Sequence, residues 1–169
     1  MAKIAKLEVS MNGLLPTFVK LVQSRSPPKL KTETDCRDHL LDFIRSSVPD
    51  DARVEREYRH RGTTMDLYVA WKGIIQKDDL AFELKKDLKK KTDFDRLVGQ
   101  IEGLDPRSNK ILVVLIGETD EGLLGRLKEK YASELRGDFD ESASLAIVNV
   151  RLGESRAKKD EEEKKDFDW

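Results

Sequence analysis

The sequence predicts an α/β protein with a mixed central sheet flanked by helices, and three observations carry that expectation. Strand-like segments alternate with amphipathic helical ones from Glu33 onward. The run Ile111-Leu112-Val113-Val114-Leu115-Ile116 is apolar and rich in β-branched side chains, so it reads as a strand covered on both faces. A chain of 169 residues, 38% of them apolar, is long enough for one hydrophobic core.

The elements follow in order. Leu14, Leu15, Phe18, Val19, Leu21 and Val22 have near-helical spacing that ends before Pro27-Pro28, giving a short helix and a linker over residues 1–30. A helix capped by Thr34 or Asp35 carries Leu40, Leu41, Phe43, Ile44 and Val48 and stops at Pro49. Three strands, Arg53 to Tyr58, Thr64 to Trp71 and Leu80 to Lys85, are parted by Gly62 and by the Lys72-Gly73 turn, which suggests an antiparallel meander. Phe94, Leu97, Val98, Ile101 and Leu104 mark a one-faced helix that ends at Asp105-Pro106. The apolar run 111–116 is expected at the sheet centre. Beyond it come a helix through Leu123, Leu127, Tyr131 and Leu135, the polar stretch Arg136 to Ser144, and a last strand, Leu145 to Val150. The main domain therefore spans 31–152, and the densely charged tail 153–169 is expected to lack order.

Composition excludes several function classes. Charged residues make up 38% of the chain, yet 32 Lys and Arg against 33 Asp and Glu leave a net charge of -1, so contact with phosphate must be local. One cysteine, Cys36, supports neither an intramolecular disulfide nor a multi-thiolate zinc site. Without an apolar run near ~18 residues or a secretory leader pattern, the expectation is a soluble, cytoplasmic protein with no membrane partner.

Three ionisable groups sit inside otherwise apolar strands: Asp66 in the second, Glu83 and Lys85 in the third. Side chains alternate along a strand, so Glu83 and Lys85 share a face while Phe82 and Leu84 enter the other. Pairing of the two strands would bring Asp66 beside them. Adjacent carboxylates repel unless a cation neutralises them, and hard oxygen ligands suit Mg²⁺, with Mn²⁺ able to substitute. A lysine beside such a metal can serve the attacking water or stabilise phosphoryl charge.

Asp66, sixteen intervening residues, then Glu83-Leu84-Lys85 at the end of an apolar strand resembles the signature of the PD-(D/E)XK nuclease superfamily, although Met65 stands where the motif name puts a proline. The α-β-β-β-α-β order from Glu33 to Gly117 is similar to that family's restriction-endonuclease-like core, with an extra helix and strand following. The resemblance implies a metal-dependent nuclease in which Asp66 and Glu83 bind the metal and Lys85 assists the water. It further implies an acid on the first helix, matched by Glu33 or less well by Asp35 or Asp38, and a catalytic glutamine on the following helix, matched by Gln100. Glu55 and Glu57 share a face of the first strand and could add an outer ligand.

Lys85, Lys86, Lys89, Lys90 and Lys91 lie close together against one acid, Asp87. Placed after the metal site, Lys86, Lys89, Lys90 and Lys91, with Arg96 a turn before Gln100, could hold a phosphate backbone, and Arg56, Arg59 and Arg61 could extend it. Nucleic acid, DNA before RNA, is the expected partner, and a homodimer stays open. Two other readings stay open as well: a non-catalytic nucleic-acid-binding or scaffolding subunit, and an unrelated α/β protein in which Glu83 and Lys85 form an exposed ion pair. His39, His60 and Cys36 have no spacing that places them in a site.

Overall fold

A computed structural model describes residues 13–25, 27–72, 77–135 and 143–151. Among them the elements run α1 (Leu14–Gln23), α2 (Glu33–Ser47), β1 (Arg53–His60), β2 (Thr63–Lys72), β3 (Lys77–Lys86), α3 (Lys91–Leu104), β4 (Ile111–Ile116), α4 (Glu121–Lys130), α5 (Ala132–Leu135) and β5 (Leu145–Val150). The protein is α/β, with a five-stranded mixed open sheet flanked by helices. The tail 153–169, the first twelve residues, residues 73–76 of the expected turn and residues 136–142 of the polar stretch lie outside the described residues.

The strands lie in sequence order, with β1–β2 and β2–β3 antiparallel as the meander expectation had it, and β3–β4 and β4–β5 parallel. The middle strand is β3 rather than β4, because two strands lie on one side of it and two on the other. Strand β4 is nevertheless buried at all six positions, since helices cover both faces of the parallel part of the sheet. One core cluster joins α1 and α2 to Leu67, Phe82, Leu84, Leu112 and Val114. The other joins α3 and α4 to Ala81, Ile111, Val113 and Leu115. The helix expected from Leu123 to Leu135 divides at Tyr131, whose φ of -109° and ψ of 26° leave the helical region.

Helix α1 belongs to the first cluster, with Phe18 fully buried and edge-on to Phe82 at 5.3 Å. It has no capping side chain of its own. Instead Leu14 N donates to Asp78 Oδ2 on β3 (2.7 Å), and Lys110 Nζ balances that carboxylate at 2.9 Å. Gly13 permits the approach: its φ is 92°, and a Cβ there would meet Asp78 Oδ2 at 2.8 Å.

Helix α2 starts earlier than Thr34 or Asp35. Its N-cap is Thr32, whose hydroxyl accepts from Asp35 N at 3.0 Å while Asp35 Oδ2 accepts from Thr32 N at 3.0 Å, a reciprocal capping box. Residue Glu33 thereby enters the first helical turn.

Strands β1 and β2 join through a two-residue turn, Arg61 and Gly62, with φ of 47° and 84°, the conformation whose twist matches a tight hairpin. Further along, β2 turns over. Leu67 and Val69 face the first core cluster but Met65 faces the second, although alternate residues of a regular strand share a face. The reversal falls at Asp66. Across from it, between the pairs Arg56↔Leu67 and Tyr58↔Met65, Glu57 adopts a left-handed φ of 53°. Asp66 stands at that reversal with its side chain 17% exposed.

Candidate functional site

The C-terminal half of β3 positions the site. Phe82 and Leu84 enter the first core cluster and Ala81 the second, so Glu83 and Lys85 continue the Ala81 face by the two-residue period. The ladder between β2 and β3 ends at Leu67↔Phe82. Past that point the Leu84 N–H turns to the Asp66 side chain, donating to Oδ2 at 2.8 Å. Asp66 thus takes the place of a backbone acceptor and is fixed where the strands part.

Lys85 gathers the acids. Its Nζ lies 3.1 Å from Glu83 Oε1 and 3.4 Å from Glu33 Oε1, while Glu33 Oε2 accepts from Lys86 N at 3.1 Å. Asp66, Glu83, Lys85 and Glu33 therefore share one cluster, and Glu33 rather than Asp35 or Asp38 is the helix acid that reaches it. Asp35 is committed to the capping box, and Asp38 lies 3.3 Å from Arg56 Nη1. The Glu83–Lys85 pair is not an exposed one: Glu83 is 0% and Lys85 7% exposed.

Burial dominates the electrostatics. It pushes the Glu83 carboxyl up to about 8, with the Asp66 charge adding to the effect against the pull of Lys85. It also raises Asp66, opposed by the Leu84 N–H and by Lys85. For Lys85 burial acts downward, but Glu83 and Glu33 outweigh it and hold the ammonium above its ordinary value. Glu83 Oε2 is buried without a hydrogen-bond partner, and an unsatisfied carboxylate oxygen beside a second carboxylate is suited to a hard divalent cation. Among the described residues no group of three or more His, Cys, Asp or Glu forms a ready metal cage.

The remaining candidates are dispersed. Gln100 sits on α3 beside the buried Leu97 and Ile101, its Oε1 buried and unpartnered, and no hydrogen bond joins it to Asp66, Glu83 or Lys85 among the described residues. The left-handed Glu57 interrupts the alternation of β1, so Glu55 pairs with Arg53 whereas Glu57 lies 3.4 Å from Arg37. In the lysine run, Lys86 pairs with Asp87, Lys89 with Glu118, and Lys91 with Asp95 at 2.6 Å. Lys90 precedes α3 and is exposed, as is Arg96. Cys36 is buried in the core, and His60 stacks on Tyr58 with ring centroids 6.3 Å apart.

Sequence reasoning missed Arg37. It lies one helical turn after Glu33, a spacing that puts both side chains on one face, and its Nη1 is 3.9 Å from Asp66 Oδ1. No family model, no curated protein and no solved structure matches the chain.

Proposed function

We propose that this protein is a metal-dependent nuclease of the PD-(D/E)XK type that hydrolyses phosphodiester bonds in DNA. The observation that carries the reading is the buried, partnerless Glu83 Oε2 beside Asp66, with the Lys85 ammonium 3.1 Å from the same carboxylate. The order α2-β1-β2-β3-α3-β4 supports a restriction-endonuclease-like core, with Asp66 and the Glu83-Leu84-Lys85 strand in the motif's places. In this reading Asp66 and Glu83 hold Mg²⁺ and Glu33 is an outer carboxylate. When bound, Mg²⁺ supplies Lewis-acid polarisation of the phosphate and makes bound water more acidic. In the reaction, water oxygen bonds to phosphorus and gives up a proton to solvent, one ester P–O bond breaks, and the departing oxygen takes a proton from solvent. Lys85 donates from its ammonium to the phosphoryl oxygens as charge builds on them. Gln100 remains a candidate contact to substrate from α3.

The metal assignment is tested by melting. Millimolar Mg²⁺ or Mn²⁺ is expected to raise the melting temperature, because a ligand confined to the folded state stabilises it by mass action, and Asp66→Asn should abolish the shift. A wild-type melting curve indifferent to both metals would sink the site. Incubating plasmid, single-stranded DNA and RNA with the protein and Mg²⁺ then tests turnover; binding without cleavage of any of them would favour a scaffolding subunit.

The lysine run gives a separate prediction. Its ion pairs are mostly exposed and screened by solvent, so phosphate can displace the acids. Replacing Lys89, Lys90 and Lys91 with Gln should weaken nucleic-acid binding about equally across sequences and flatten its salt dependence, as lost counterion release requires. Fluorescence anisotropy over a salt series reads both, and an unchanged slope removes these residues from the interface.

A further inference from the structure

Polar atoms left unsatisfied in a folded interior are uncommon, because each costs roughly 1–3 kcal/mol. Three of those among the described residues, Arg37 Nε, Asp38 Oδ1 and Glu83 Oε2, belong to residues at or next to the Asp66 cluster. A divalent cation would satisfy Glu83 Oε2 but not a donor such as Arg37 Nε. The Arg37 side chain is 16% exposed, its Nε is buried and unpartnered, and among the described residues its carboxylate contacts are ion pairs at 3.4–3.9 Å. Asp66 Oδ1 stands off at 3.9 Å, and the same carboxylate is committed through Oδ2 to Leu84 N. Asp38 lies 3.9 Å from Arg37 Nε but 3.3 Å from Arg56 Nη1, so its nearer ion pair is with Arg56. Glu57 is 3.4 Å away on a side chain that is 60% exposed, a contact that solvent screens.

Arg37 is thus a planar set of N–H donors held beside the site, its buried Nε unpartnered and its Nη1 in ion pairs of 3.4 Å to Glu57 and 3.9 Å to Asp66. Carboxylate and phosphate are the two groups whose paired oxygens match a guanidinium fork, and among the described residues the neighbouring carboxylates each meet Arg37 through one oxygen at 3.4–3.9 Å. We infer that Arg37 is the phosphate-binding residue of this site, donating to the non-bridging oxygens of a phosphodiester in a nucleic-acid strand that lies at Asp66 and Glu83. The inference rests on the nuclease reading for the identity of the ligand. Its geometry rests on α2: the Thr32–Asp35 capping box fixes where the helix starts, and one turn separates Glu33, which reaches Lys85, from Arg37, which reaches Asp66.

The test compares wild type, Arg37→Ala and Arg37→Lys, using anisotropy of a short fluorescent oligonucleotide, steady-state cleavage, and the Mg²⁺-induced melting shift. Expected are a loss of oligonucleotide affinity of roughly 10-fold or more in Arg37→Ala, the scale of a lost charge-assisted contact, and a salt slope smaller by about one. KM should rise more than kcat falls, and the Mg²⁺ shift should stay at the wild-type value. Arg37→Lys, which keeps the charge but not the fork, should recover only part of the affinity; Arg37→Gln is read in the same way if the alanine variant melts too early. Wild-type affinity, slope and KM in Arg37→Ala overturn the inference and leave the nuclease reading standing. Loss of the Mg²⁺ shift overturns it too, because Arg37 would then act by positioning Asp66. If the wild type cleaves nothing but its oligonucleotide binding still falls on removing Arg37, the nuclease reading fails and the phosphate subsite survives. A wild type that binds no oligonucleotide sinks the subsite.

Discussion

Replacing Lys85 with Ala is expected to slow DNA cleavage at least ~10²-fold, the scale of a lost electrostatic or acid–base contributor, while Mg²⁺ still raises the melting temperature. Lys85 is 7% exposed, and its ammonium lies 3.1 Å from Glu83 and 3.4 Å from Glu33. Its removal therefore takes away a donor that a water molecule on the surface could not replace, and leaves Asp66 and Glu83 free to bind metal. A fold cost accompanies the change, since Glu83 loses its one hydrogen-bonded cation among the described residues. The metal should offset part of it. Single-turnover cleavage of a labelled duplex, with variant concentrations set by the metal-induced melting shift, separates chemistry from folding. Cleavage by Lys85→Ala at the wild-type rate would remove Lys85 from the mechanism without touching Asp66 or Glu83.

Glu83→Gln is expected to raise the melting temperature of the metal-free protein at alkaline pH and to remove much of its pH dependence between about 5 and 8. The sign follows from where the proton sits. Unfolded, the Glu83 carboxyl ionises at its ordinary value of 4.5; folded, burial and Asp66 hold it protonated up to about 8. Between those limits the folded chain binds the extra proton, so raising the pH through the window removes stability, on the order of a few kcal/mol in full. Below it both states are protonated and the effect disappears. The Gln variant keeps a neutral side chain throughout, so its advantage over wild type should grow from pH 5 to pH 8 and then level off. In the wild type, metal binding requires the ionised carboxylate, so the Mg²⁺ shift should be larger at pH 8 than at pH 6. Parallel melting curves for wild type and Glu83→Gln across this range would refute the burial argument.

Elements and their order were legible because helix and strand periodicity is local information. The spacing of Leu40, Leu41 and Ile44 foretold α2, and the run 111–116 foretold the buried strand β4. The shared face of Glu83 and Lys85 followed from the two-residue period alone. The misplaced details had short-range or counting causes. A cap at Thr34 or Asp35 places the α2 start two or three residues late, because Thr32 and Asp35 form a capping box with aspartate in place of the usual glutamate or glutamine. The middle of the sheet was assigned to β4 because hydrophobicity reports coverage on both faces, which β3 and β4 share, and not position among the strands.

By itself the sequence determined which segments are helix or strand, and that Asp66, Glu83 and Lys85 sit in adjacent strands with acids and lysines nearby. Tertiary structure decided which of those charges meet, and in what medium. Glu33 reaches Lys85 across 52 positions, Lys89 spends its charge on Glu118 across 29, and Arg37 arrives beside Asp66 only because α2 packs over the point where β2 turns over. The physical reason is that ionisation and pairing energies depend on distance and on removal from water. Both are properties of the assembled fold, fixed by residues far apart in the chain, whereas periodicity belongs to neighbours.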